Sequence, residues 1–130
     1  MKKGDHIFVY GTLRIGQRAD LSRKSGVVPV GPDRINGSLY ALGWFPGVKL
    51  SGEDFNDASP AVVGDVFVIE DESITHVIDL YEGHPGFFMR KPHKTEQGRT
   101  AWVYEYQGDI AYAATEIPSG DWLERIKECD

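Results

Sequence analysis

Glycine or proline breaks nearly every apolar run in this chain. Fifteen glycines and seven prolines are spread over 130 residues, and the apolar segments between them are short. That punctuation excludes long amphipathic helices over most of the length and favours many strands joined by turns. Strands are predicted at Ile7–Tyr10, Gly26–Val30, Ile35–Leu42, Val62–Ile69, Phe87–His93 and Ala101–Tyr106. Several alternate with period two; within Val62–Ile69, Val66 and Val68 share a face.

Only two segments read as helices. In Ser73–Glu82, the residues Ile74, Val77, Ile78 and Tyr81 recur at helical spacing as one apolar stripe. Asp71, Glu72 and Ser73 offer cap and first-turn chemistry, Gly83 suits the position after the last turn, and Pro85 blocks continuation. The second helix is expected near Gly120–Cys129, with Trp122, Leu123 and Ile126 apolar and Pro118 ahead of it. Nothing alternates strands with long helices, so a doubly wound sheet is not expected. The expectation is a single α+β domain over residues 1–130: a strongly curved mixed sheet or open pseudo-barrel, with the Ser73–Glu82 helix against it.

Charge narrows the function classes. Fourteen basic against twenty acidic residues give a formal charge of −6, and the basic clusters Lys2-Lys3 and Arg23-Lys24 are short. A nucleic-acid partner is therefore not expected, because such affinity rests on clustered Lys and Arg. The one cysteine, Cys129, permits neither an internal disulfide nor a cysteine zinc site. The apolar run Ile7–Val9 behind Lys2 and Lys3 is too short for a signal peptide or a membrane span. These features suit a cytoplasmic protein with no membrane partner.

Most motif chemistry is absent. The four histidines, His6, His76, His84 and His93, lie in no metal-ligand spacing and read as surface or turn residues, although His84 and His93 flank one strand. There is no nucleophile elbow, phosphate-binding glycine loop or dinucleotide fingerprint, so neither a metal nor a cofactor is expected. The aromatics Trp44, Phe45, Phe87, Phe88, Trp102, Tyr104 and Tyr106 read as core, and Glu53, Asp54 and Asp57 as a solvated loop.

Two features carry open alternatives. Glu82 ends the first helix, where unsatisfied carbonyls disfavour an anion, and lies roughly 90° from the centre of the apolar stripe. It is either a solvated residue at a fraying end, or a half-desolvated carboxyl with raised pKa suited to general acid–base work. Gly11 stops the apolar run Ile7-Phe8-Val9-Tyr10 and is followed by Thr12. It is either a turn glycine or a bare stretch of backbone whose successive N–H groups hold an anion.

Taken in order, these segments resemble the gamma-glutamylcyclotransferase-like proteins, including the gamma-glutamylamine cyclotransferase and AIG2-like branches. The matching pieces are Phe8-Val9-Tyr10-Gly11-Thr12-Leu13-Arg14, Ile35-Asn36-Gly37-Ser38-Leu39-Tyr40, Trp44-Phe45-Pro46-Gly47-Val48 as a turn, Val63-Gly64-Asp65-Val66-Phe67, Ile78-Asp79-Leu80-Tyr81-Glu82-Gly83, Ala101-Trp102-Val103-Tyr104 and Ile117-Pro118-Ser119-Gly120-Asp121-Trp122. The resemblance implies an open-barrel fold with a cavity, and release of 5-oxoproline and a free amine from a small gamma-glutamyl amide or peptide. It implies that Glu82 is the acid/base and that Tyr10, Gly11, Thr12 and Leu13 hold the glutamyl end. It also places Phe88 at the site, where many relatives carry a tyrosine, and Gln17-Arg18-Ala19-Asp20 where many carry an asparagine. Substrates as different as glutathione, a gamma-glutamyl amino acid, a crosslink isopeptide and an acylated natural-product intermediate share the same glutamyl end. Oligomeric state is unknown from these patterns. A non-catalytic binding module on the same fold is the alternative reading.

Overall fold

The structure, a computed structural model, describes residues 1–52, 54–110 and 115–124. Its elements run β1 (His6–Val9), β2 (Val27–Ala41), β3 (Pro46–Leu50), β4 (Ala61–Ile69), α1 (Ile74–Glu82), β5 (Phe88–Lys94), β6 (Thr100–Tyr106) and β7 (Thr115–Glu116), with a 3-10 turn at Leu21–Arg23. The α+β single-domain architecture expected from the punctuation is what forms. Strands β1-β4-β2-β3-β6 make a ring that the parallel β1–β6 pairing closes. β5 extends it antiparallel from β6, and β7 pairs with the end of β2.

Period-two alternation divides the core into two clusters. Phe8, Ile35, Leu39, Val48, Val62, Val66, Ala101 and Val103, from all the ring strands, form the cluster that fills the barrel. Their neighbours Ile7, Val9, Phe67, Ile69 and Tyr104 face the other way and pack with Ile74 and Ile78 of α1. A strand buried on both faces carries apolar residues at successive positions, as at Val66 and Phe67 of β4, adjacent and both fully buried in different clusters.

Two segments differ from expectation. Gly26–Val30 and Ile35–Leu42 are the two ends of one long strand, β2, whose pairing with β4 continues through a register shift between Pro29 and Gly31. The polar interval between them is satisfied sideways. Asp33 pairs with Arg99 at 2.8 Å, and Arg34 pairs with Glu96. The expected turn at Trp44–Val48 is shorter: Leu42 N–H donates to the Phe45 carbonyl at 2.8 Å, and β3 starts at Pro46.

α1 forms where predicted, but its buried face is rotated. Ile74 and Ile78 are buried, whereas Val77 is 45% and Tyr81 49% exposed. Polar anchors explain the rotation. Thr75 Oγ1 donates to the Met1 carbonyl, and Asp79 receives the guanidinium of Arg90 and the hydroxyl of Tyr104. The inward row is therefore Ile74, Ile78 and, one turn on, Glu82. At the start of the helix, Asp71 accepts from the Ser73 amide and hydroxyl. At its end, Gly83 takes the left-handed conformation (φ 66°), and the Gly83 and His84 amides close on Leu80 and Asp79 carbonyls. The helix expected at Gly120–Cys129 lies mostly outside the described residues; Trp122–Glu124 form a turn. No helix among the described residues is long and apolar enough to cross a membrane.

Candidate active site

A cavity of about 520 Å³ opens between the loop after β1, the turn before β3 and the end of α1. This falls within the range of about 300–1,000 Å³ usual for small-molecule sites. Tyr10, Gly11, Thr12, Leu13, Glu82 and Phe88 all line it. Residues some seventy positions apart meet because β1 and α1 pack through one core cluster.

The opening loop is pinned by its carbonyls and leaves amides unused. Gly11 O accepts from Arg14 N–H at 3.0 Å, Thr12 O from Ala19 at 2.9 Å and Leu13 O from Leu21 at 2.9 Å. The N–H groups of Gly11, Thr12 and Leu13 donate to no protein acceptor among the described residues. Successive free amides beside a cavity are the ingredients of an anion-binding nest. Asp65 and Asp20 stiffen the same loop: Asp65 accepts from Arg14 and from the Ile15 amide, and Asp20 from the Gly16 and Ser22 amides.

Gly11 has a further, steric reason to be glycine. A Cβ there would stand 2.5 Å from Pro46 Cγ, so the space beside its Cα is filled by the β3 turn. The missing side chain therefore serves packing; only the amide face is left for a ligand. Thr12 neither caps the turn nor stands free, since its hydroxyl and that of Tyr81 lie 2.6 Å apart and join the loop to α1. Tyr10 is anchored from below. Its hydroxyl donates to the Tyr104 carbonyl at 2.6 Å and accepts from Val48 N–H at 3.3 Å. Burial, then the Glu82 charge, pushes its phenol well above the usual value.

Glu82 is half-buried, and burial lifts its pKa from the ordinary 4.5 to about 7. No donor or cation among the described residues offsets that effect. Asp79, three residues earlier, is the opposite case. Burial would raise it, but the hydrogen bonds of Arg90 and Tyr104 and the Arg90 charge outweigh burial and hold it below the usual carboxylate range. Arg90 grips it through two nitrogens, at 3.1 and 3.3 Å. Two carboxyls on one helix are thus held apart in pKa, an arrangement that assigns a fixed anion and a titrating acid–base group to neighbouring positions.

Phe88 forms part of the apolar wall, with ring centroids 5.5 Å from Phe87 and 5.6 Å from Tyr106. It brings no hydroxyl; Tyr104 supplies one to the same cavity, already committed to Asp79. Burial and that hydrogen bond raise the Tyr104 phenol strongly. Arg18 also lines the cavity, within the Gln17–Asp20 stretch that the resemblance had marked. Tyr104 in the cavity lining, and Asp79, which accepts from it just outside that lining, are residues that sequence reasoning did not single out for the site. The one signal was two carboxyls three apart on one helix, a like-charge spacing that is unfavourable unless a cation intervenes. Of the histidines, His84 accepts from the Arg90 amide and packs edge-on to Tyr104, while His93 Nδ1 pairs with the Lys94 carbonyl. No group of three or more potential metal ligands occurs among the described residues.

A family model described as gamma-glutamyl cyclotransferase, AIG2-like, matches residues 7–124. The chain belongs to that family. The gamma-glutamylcyclotransferase family protein YtfP of Escherichia coli (strain K12) is 32% identical over 122 residues, covering 93% of this chain and 98% of the relative. Its solution structure superposes with a TM-score of 0.66. An uncharacterized protein from Pyrococcus horikoshii, PH0828, shares the fold at a TM-score of 0.72 and 23% identity, over 96% of this chain and 95% of that one. An AIG2-like protein from Mus musculus does so at 0.66 and 22%, over 86% and 83%. At those identities the two likenesses speak for the family fold alone.

Proposed function

We propose that this chain is a gamma-glutamyl cyclotransferase that releases 5-oxoproline and a free amine from a small gamma-glutamyl amide or peptide. The observation that carries the reading is the unpaired Glu82 carboxyl, with pKa about 7, in the same cavity as the free amides of Gly11–Leu13. Family membership supports the same reaction class.

The substrate brings its own nucleophile. Its alpha-amino nitrogen attacks the gamma-carbonyl carbon, the ring C–N bond forms, and the original amide C–N bond breaks. The covalent tether removes much of the entropic barrier, so the protein's task is to fold the glutamyl chain into reach. Glu82 takes the proton from the attacking nitrogen and returns it to the departing amine, so no net proton is gained or lost. A carboxyl poised near neutrality can do both. The amides of Gly11, Thr12 and Leu13 bind the alpha-carboxylate or the developing oxyanion. Tyr10, Leu13 and Phe88 form the walls around the glutamyl carbons. The reaction is proposed to need no metal or cofactor, and a reducing cytosol is the proposed compartment.

A screen for 5-oxoproline release across gamma-glutamyl amides tests the proposal, with Glu82→Gln as control. Release by the wild type and its loss in the variant are the expected results. Full activity in the variant would remove Glu82 from the mechanism. A wild type that binds these amides and never releases 5-oxoproline would establish the binding-module reading, which the hydroxyl-free Phe88 wall favours.

A further inference from the structure

Six arginines lie among the described residues, and five sit beside a carboxylate: Arg14 with Asp65 and Asp121, Arg23 with Asp20, Arg34 with Glu96, Arg90 with Asp79 and Arg99 with Asp33. Arg18 is the exception. In a chain with twenty acidic residues, its guanidinium pairs with none among those described and stacks instead over the Trp44 ring, 4.5 Å from the centroid. Both residues line the cavity, and Arg18 is the one basic side chain that does so among the described residues. Trp44 is 66% exposed, and Leu80, on the same rim, is 69% exposed. The neighbouring Asp20 fixes the loop that presents Arg18, through the Gly16 and Ser22 amides.

Stacking on an indole face orients a guanidinium without using its N–H fork. The fork is then open toward a planar anion, and a carboxylate is its natural bidentate partner. We infer that Arg18, held by Trp44, is a specificity residue at the cavity mouth, and that it selects substrates whose leaving half carries a carboxylate. This rests on the cyclotransferase reading for the direction of the substrate. With the glutamyl end at the Gly11–Leu13 amides beside Glu82, the departing amine points outward to the rim. The glutamyl carboxylate already has the loop amides. A leaving half that ends in a carboxylate meets Arg18, while its carbon skeleton lies on Trp44 and Leu80. An arginine here also offsets the repulsion that an ionised Glu82 and the acidic chain exert on an anionic substrate. The favoured class is therefore gamma-glutamyl amino acids and peptides, over gamma-glutamyl amines that lack a carboxylate or end in a cation.

The test compares gamma-glutamylalanine with gamma-glutamylethylamide, which differ only by the leaving-half carboxylate. For the wild type, kcat/KM is expected to be about tenfold higher for the alanine compound, a preference of the size one oriented charge supplies. Arg18→Ala should raise its KM about tenfold with kcat unchanged, leave the ethylamide unaffected, and so abolish the preference. Arg18→Lys should restore part of it, and Trp44→Ala should weaken it several-fold. Equal losses on both compounds in Arg18→Ala would place Arg18 on the glutamyl half and overturn the inference, as would a wild type without preference. Binding of both compounds is measured by calorimetry in parallel. A protein that turns over neither compound refutes the proposed function. The inference then still stands if Arg18→Ala weakens only the alanine compound, and falls if binding ignores the carboxylate.

Discussion

Replacing Glu82 by Gln should make the protein more stable and inactive at once. Burial lifts this carboxyl from 4.5 to about 7. Between those values the folded state holds a proton that the unfolded chain has released, so stability falls as pH rises through that window. At about 1.4 kcal/mol per pH unit, the ionised carboxylate costs the native state about 3 kcal/mol above pH 7 and almost nothing below pH 4. Gln never ionises. The variant is therefore expected to exceed the wild type by about 3 kcal/mol at pH 8, or about 10 °C in melting temperature for a chain of this size, and to match it near pH 4. Urea unfolding followed by circular dichroism at pH 4, 6 and 8 reads this directly. 5-Oxoproline release should fall by about 10²–10⁴-fold, the usual weight of a general acid–base group. A stability gap that does not widen from pH 4 to pH 8 would show that Glu82 is solvated or paired, and the site as described would fail.

The remaining predictions address the groups around it. In the wild type, kcat/KM should rise with pH through about 7, as the basic form of Glu82 becomes populated; a profile flat from pH 5 to 8 would contradict its role as base. Arg14→Ala leaves the buried Asp65 without its cation and should cost about 3 kcal/mol in denaturant unfolding, whatever happens to activity. Tyr104→Phe removes a donor to a charged acceptor, so a loss of about 2 kcal/mol is expected, while Arg90 keeps Asp79 ionised and the pH profile unmoved. Gly11→Ala drives a methyl against Pro46 and should cost about 1–3 kcal/mol, with KM rising as the loop amides shift.

The glycine and proline pattern made the strand-rich α+β class and the places of β1, β4, β5 and β6 legible, because punctuation limits segment length before any tertiary contact forms; β3 read as a turn, and the two-residue β7 had no signal. β2 was not legible as one strand. Its middle, Gly31–Arg34, looks like a loop in isolation and is strand only because β4 runs the full length beside it and Arg99 and Glu96 satisfy its charges. Glu82 and Gly11 were visible as candidates from their positions at a helix end and a strand end. Their meeting in one cavity, and the pairing that sets Asp79 apart, depend on which face of α1 turns inward. Arg18 was marked only as part of the Gln17–Asp20 stretch that departs from the family's asparagine; its own standing became notable only once every other described arginine was found paired.

That inward face is where fold and chemistry are joined. Had α1 buried the stripe its sequence displays, Val77 and Tyr81 would face the core, and Asp79 and Glu82 would be ordinary solvated carboxylates on its flank. Leaving an apolar side chain of this size exposed forgoes about 1.5–3 kcal/mol of burial, and Val77, Leu80 and Tyr81 are all exposed. The Arg90–Asp79–Tyr104 cluster and the Thr75–Met1 bond offset part of that and fix the rotation. The consequence is specific. Ile78 and Glu82 fall in one inward row, so the row that fills the core with its apolar members also carries a carboxyl into a desolvated cavity. Leu80 and Tyr81, withheld from the core, line the cavity mouth instead, where a bound substrate would cover them. Restoring the sequence stripe by Asp79→Ala should therefore act on Glu82 without touching it. With the anchor gone and α1 free to rotate, the pH midpoint of activity should move down from about 7 toward 4.5 as the carboxyl becomes solvated. A midpoint that stays near 7 in Asp79→Ala would mean that packing of Ile74 and Ile78 alone sets the rotation.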